Sequence, residues 1–319
     1  MTSLFVVISL FLMIGCDNGV SSQPEQPNNN TSSVSTNVTN AQDSVIPKKQ
    51  SNPTTSPPPE FTNQYAWISN YDAKQALEAQ IPVPDGYQRL PASKQSMTHW
   101  LRGLPLHPKG TKVLLYDGNT KPYQDGAARV VNIDIGKRDL QQCADAVMRL
   151  KAEYHYAQKE YDAIHFNYTS GDNIRFSDWS KGKKPSIKNK KVVFSSASGN
   201  TDHSYKNFKK YLTNVYCYAG TASLSKELKS KAIHDIEAGD VFIWGGFPGH
   251  AILVVDVAIH QETGKKIFLL AQSYMPAQSI HILKNFNNSD LSPWYHEDFG
   301  SELITPEWTF SRDALKAFE

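Results

Sequence analysis

The chain runs to 319 residues, 39% apolar and 11% aromatic, which supplies a sizeable core and excludes wholesale disorder. Its 33 basic and 31 acidic side chains leave a formal charge of +2, too small a remainder for a general nucleic-acid binder. No apolar run reaches the roughly 18 residues of a membrane-spanning helix, and three cysteines are too few for a disulfide-stapled miniprotein.

Positions 4–14 are apolar apart from Ser9, a length that suits a signal-peptide core. They end in Met13-Ile14-Gly15-Cys16, which resembles the lipobox of bacterial lipoproteins. That resemblance implies removal of residues 1–15 and attachment of diacylglycerol to Cys16; a secretory signal with a chance cysteine is the alternative. It further implies a bacterial envelope location, anchored to a membrane on its periplasmic side. Asp17 and Asn18 resemble an inner-membrane retention signal, and the choice of membrane stays open. Between 17 and 60, 24 of 44 residues are Ser, Thr, Asn or Gln, 7 are Pro and none is aromatic. Such a stretch buries too little apolar area to offset its ordering entropy. The expected organisation is therefore a disordered tether at 16–60, roughly 35–40 Å end to end, carrying a single globular domain at 61–319.

Within that domain a helix is expected near 92–102, then strands at 112–116 and 129–135. The clearest helix spans about 139–161, where Leu140, Cys143, Val147, Leu150 and Tyr154 fall at alternating spacings of three and four. Asp139 and Gln142 have the D-x-x-Q relation of a capping box. A strand at 192–195 and helices around 207–218 and 223–232 follow. The last third reads as sheet, at 240–244, 250–259, 267–272 and 279–283, with a turn at Gln261-Glu262-Thr263-Gly264. Helices followed by antiparallel strands give an α+β order. Six lysines and no acid lie between 181 and 191, a solvated loop or a patch attracted to anionic lipid or polymer.

Cys143, about four residues inside the expected helix, would feel the positive end of the helix dipole, which lowers a thiol pKa. A nucleophilic cysteine needs a base within hydrogen-bond reach. His250 is the candidate, in Gly245-Gly246-Phe247-Pro248-Gly249-His250 at the mouth of an apolar strand. Gln272, near the end of the next strand, is the candidate to orient its ring, with Gln278 and Asp256 as alternatives. An oxyanion would draw on Gln141 or Gln142 and the Cys143 backbone N–H.

The run Gly239-Asp240-Val241-Phe242-Ile243-Trp244 and the strand opening Gly249-His250-Ala251-Ile252 resemble the sheet half of papain-like hydrolases of the NlpC and CHAP types. The resemblance implies a papain-like fold in which a helix packs on an antiparallel sheet, with Cys143, His250 and Gln272 in the order nucleophile, base and orienting residue. It departs at the cysteine, which lies between Gln142 and Ala144 rather than behind an acid, and the 107 positions to His250 imply an insertion. Over most of 61–319 the chain also resembles the bacterial lipoprotein family known as domain of unknown function 4846. The segments Leu104-Pro105-Leu106, Leu140-Gln141-Gln142-Cys143-Ala144-Asp145, Tyr218-Ala219-Gly220-Thr221 and Gln272-Ser273-Tyr274-Met275-Pro276-Ala277-Gln278 carry it.

Other readings stand beside these. Cys143 also reads as a core residue or as a partner for Cys217 in a disulfide, and His250 as a core histidine or metal ligand, although no H-x-x-x-H or C-x-x-C spacing accompanies it. Asp240 reads as a turn residue. Trp244, Tyr274, Trp294, Tyr295 and Trp308 line a groove or pack the core. The expectation is a tethered envelope cysteine amidase, needing no cofactor or metal, whose partners are the bilayer and peptidoglycan rather than nucleic acid. A silent wall-binding or scaffolding lipoprotein and a papain-like acyltransferase or thioesterase are the alternatives.

Overall fold

A computed structural model describes residues 61–197 and 199–319. The signal segment 1–15, the lipidation site Cys16 and the tether 16–60 lie outside the described residues.

The domain is α+β, built on a nine-stranded sheet in which every pairing is antiparallel. Its order runs Ala127–Val130, His281–Leu283, Lys266–Gln272, His250–His260, Val241–Trp244, Leu315–Ala317, Lys229–Ser230. Tyr87–Arg89 pairs with the far end of His250–His260, and Tyr295–His296 with the start of Lys266–Gln272. The His250 strand is apolar almost throughout because both its faces are covered. Ala251, Leu253 and Val255 lie on the face covered by the helices Met97–Arg102 and Cys143–Ala157, while Ile252, Val254 and Val257 cluster with Phe242, Phe268 and Phe310. Each of the Val, Leu, Ile and Phe side chains among these contributes about 1.5–3 kcal/mol on full burial.

The expected strands at 240–244, 250–259, 267–272 and 279–283 appear as Val241–Trp244, His250–His260, Lys266–Gln272 and His281–Leu283. Positions 112–116 form no strand. The chain bends back at Asp117, whose Oδ1 accepts from the Asn119 N–H, so only single bridges form at Leu114 and Leu115. The 223–232 helix is Thr221–Glu227, and Lys229–Ser230 leaves it to pair at the sheet edge. The lysine-rich stretch is a hairpin, Pro185–Lys188 with Lys191–Phe194; Lys188, Lys190 and Lys191 are exposed on it.

The long helix is Cys143–Ala157, shorter than expected at both ends. Asp139 does not cap it, because its Oδ1 already accepts from the Ala277 N–H and Gln142 Nε2. Gln142 is the N-cap residue, and its N–H donates to the Asp145 carboxylate at 3.1 Å, so the helix opens on Cys143. Lys159, at φ 60°, ends it; the N–H groups of Lys159 and Glu160 reach back to the Tyr156 and His155 carbonyls.

Asp256 does not orient His250. It lies where the pairing of the His250 and Gln272 strands shifts register, and it is fully buried. Arg89 Nε and Arg102 Nε donate to its two oxygens at 2.6 and 2.7 Å. Asp256→Asn leaves two guanidiniums without their anion. A loss of about 3–5 kcal/mol is expected, read as a drop in the denaturant midpoint of unfolding.

Candidate active site

Cys143 is the first residue of its helix and partly exposed. Helix geometry leaves its own N–H and that of Ala144 unused by the backbone ladder, and both act on the sulfur. The backbone N–H of Ala251, the residue after His250, also lowers the thiol pKa, and the helix packs on the strand that His250 opens. The helix terminus does not win the electrostatic contest that the sequence reading assigned to it. Burial, with the Asp145 carboxylate, pushes the thiol up to about 11 against those three N–H groups.

The loop before His250 is held by close approach to the helix Thr221–Glu227. A Cβ at Gly245 would lie 2.0 Å from Ser225 Oγ, and one at Gly249 would lie 2.3 Å from Thr221 Oγ1, so only glycine fits. Trp244 pairs with His250 across the sheet. The imidazole, 1% exposed, packs against the rings of Tyr274, Trp308 and Phe310 at centroid distances of 4.7, 5.4 and 5.8 Å.

His250 Nε2 stands 2.9 Å from Gln272 Oε1. The Gln272 amide nitrogen donates to Glu307 Oε2 at 2.6 Å, which turns the amide oxygen toward the ring. Nε2 must then carry the proton, leaving Nδ1 as the acceptor of a neutral imidazole. Burial lowers the His250 pKa to about 4, with Lys121 adding to the effect and the Gln272 bond opposing it. Among the described residues no hydrogen bond joins the Cys143 thiol to His250. Resting geometry of this kind tightens when substrate binds in many enzymes.

Gln278 is buried but does not reach His250; its oxygen-bearing neighbour is Ser273, which donates to the Gln278 carbonyl. Gln142 is removed from the oxyanion role because its Nε2 donates to Asp139. Gln141 keeps a claim to it. Its Oε1 accepts from Arg149, which fixes the amide, and its buried Nε2 has no acceptor among the described residues. Cys143 and Cys217 are not joined by a disulfide. Asp240 is a turn residue, accepting from the Glu237 N–H and paired with Lys231. The aromatics divide: Trp294 and Tyr295 are core, Tyr274 and Trp308 cover His250, and Trp244 is 54% exposed.

Glu307, Lys121 and His281 escape sequence reasoning. Lys121 and Glu307 are 186 positions apart, with no spacing to join them. His281 had a weak signal, as a polar residue in an otherwise apolar strand. Among the described residues no group of three or more His, Cys, Asp or Glu side chains is placed to hold a metal ion.

A family model described as Domain of unknown function (4846) matches residues 77–317. The chain belongs to that family. The match takes in Cys143, His250, Gln272 and Glu307, so the whole site lies within the 4846 domain. Comparison with curated proteins and with solved structures returns no match.

Two buried histidines give the 4846 domain an acid liability. Burial lowers His250 to about 4 and His281 to about 3, from 6.5. The unfolded chain takes up these protons first, so stability is fully present above pH 6.5 and is lost as pH falls toward 4 and then 3. Each histidine contributes a slope of about 1.4 kcal/mol per pH unit within its window. Denaturant unfolding at pH 7, 6 and 5 is expected to show this loss, with His281→Phe reducing the slope by about one proton.

Proposed function

We propose that the chain is a membrane-tethered cysteine hydrolase of the cell envelope, with a papain-like arrangement of helix and sheet, that cleaves peptide amide bonds of peptidoglycan. One observation carries the chemistry: Gln272 Oε1 lies 2.9 Å from His250 Nε2, leaving Nδ1 as a base, on a strand against which the Cys143 helix packs. The tether and the envelope location rest on Cys16 and the polar segment behind it.

In this reading Cys143 and His250 start as a neutral pair. As the sulfur attacks the amide carbonyl, the thiol proton passes to His250 Nδ1. The oxyanion that forms is met by the Cys143 backbone N–H and the Gln141 amide nitrogen. Collapse breaks the C–N bond, and the imidazolium gives its proton to the leaving amine. Water then attacks the thioester with His250 again as base, and the proton returns to the departing thiolate.

A silent wall-binding lipoprotein is the second reading, and the thiol's raised pKa favours it. The full-length protein incubated with purified sacculi separates the two. Release of muropeptides by the wild type, and none by Cys143→Ala or His250→Ala, is expected. Sacculus binding without release, or undiminished release by Cys143→Ala, overturns the hydrolase. Ester turnover without muropeptide release points instead to acyl transfer.

The thiol's ionisation gives a separate test. With a pKa of about 11, alkylation of Cys143 by iodoacetamide is expected to be slow at pH 7 and to keep rising beyond pH 9. A rate that levels off below pH 8, followed by mass spectrometry of the labelled peptide, contradicts that environment.

A further inference from the structure

The group that decides which nitrogen of His250 can accept a proton is remote from it in sequence. A glutamine amide can turn over with almost no change of shape. With its oxygen toward His250, the ring holds its proton on Nε2; with its NH2 toward His250, Nε2 must become the acceptor and the proton moves to Nδ1. The second state has no base on the side that the proposed reaction uses. Gln272 is 1% exposed, and its amide nitrogen is 2.6 Å from Glu307 Oε2. A carboxylate accepts only, so it selects the first state. Lys121 Nζ donates to both Glu307 oxygens at 2.6 Å, and the two side chains are 9% and 14% exposed. His281 Nε2 lies 3.5 Å from the same Gln272 nitrogen, and its Nδ1 donates to the Ser279 carbonyl at 2.9 Å, so the nitrogen facing Gln272 is also an acceptor.

The hairpin Glu302–Ile304 and Thr309–Ser311 carries Glu307 on the turn between its strands. The same turn brings Trp308 against His250. Its geometry is fixed by Thr305, whose hydroxyl donates to the Trp308 carbonyl at 2.6 Å, and by Pro306, which fills the space beside Gly126.

We propose that Glu307, anchored by Lys121, is a positioning residue that locks His250 in its Nε2-protonated form through the Gln272 amide. Its consequence for catalysis rests on the hydrolase reading; the lock itself does not. An ion pair that merely pinned the hairpin to the Lys121 loop would leave the imidazole tautomer untouched.

The test is 15N NMR of the full-length protein labelled at histidine, at pH 7, with long-range proton–nitrogen correlations assigned through His250→Ala. The wild type is expected to show a single His250 form, protonated at Nε2. In Glu307→Leu, or in Lys121→Met/Glu307→Leu should the lone buried lysine impair folding, a population protonated at Nδ1 is expected. Glu307→Gln keeps an oxygen for the Gln272 nitrogen and is expected to restore the wild-type pattern. Iodoacetamide labelling of Cys143 at pH 7 should fall on the order of tenfold in the double variant and stay near wild type in Glu307→Gln. An unchanged tautomer in the folded double variant overturns the lock. A changed tautomer with unchanged Cys143 labelling upholds the lock and removes His250 from the activation of the thiol.

Discussion

Two hydrogen bonds hold the candidate site together, and neither involves a reacting group. Ser273 Oγ donates to the Gln141 carbonyl at 3.0 Å, and the Ala277 N–H donates to Asp139 Oδ1 at 2.6 Å. They fasten the turn after the Gln272 strand to the segment that leads into the Cys143 helix, across 132 and 138 positions of chain. With Asp139 engaged in this way, Gln142 is the N-cap and the helix opens on Cys143. A rigid sheet then supplies the other half, since His250 and Gln272 sit on neighbouring central strands whose buried side chains cannot shift independently.

Burial around the site favours neutrality. It disfavours a thiolate at Cys143, with Asp145 adding to the effect, and an imidazolium at His250, with Lys121 adding to it, while Asp145 is itself pushed up by burial. A pre-formed thiolate–imidazolium pair is thereby disfavoured on both sides. In the proposed reaction, charge separation comes with substrate in place, when the carbonyl oxygen takes up the negative charge near the first N–H groups of the helix.

What sequence could reveal follows from how local each cause is. Alternating and continuous apolar patterns are local, so the four strands expected between 240 and 283 were legible to within two residues, whereas the two- and three-residue strands at 229–230 and from 295 onward are too short to carry a pattern. The helix was legible by its periodicity, but its first residue was not, because Asp139 is claimed by Ala277 from a distant turn. The order of Cys143, His250 and Gln272 was readable, and the Gln272–His250 bond at 2.9 Å is present. Asp256 shared a nominal strand face with His250, yet a register shift and two arginines gave it another role. Glu307 and Lys121 were invisible, since a lone charged residue in a loop carries no pattern until the fold gives it a partner.

The protonated state of Cys143 has a bearing on its chemical lifetime. Peroxides and disulfides react with thiolate, and oxidation to sulfenic acid follows the same dependence. A partly exposed cysteine with a low pKa would be consumed under oxidising conditions. With its pKa pushed up by burial and by Asp145, Cys143 presents little thiolate to such oxidants, and no disulfide joins it to Cys217.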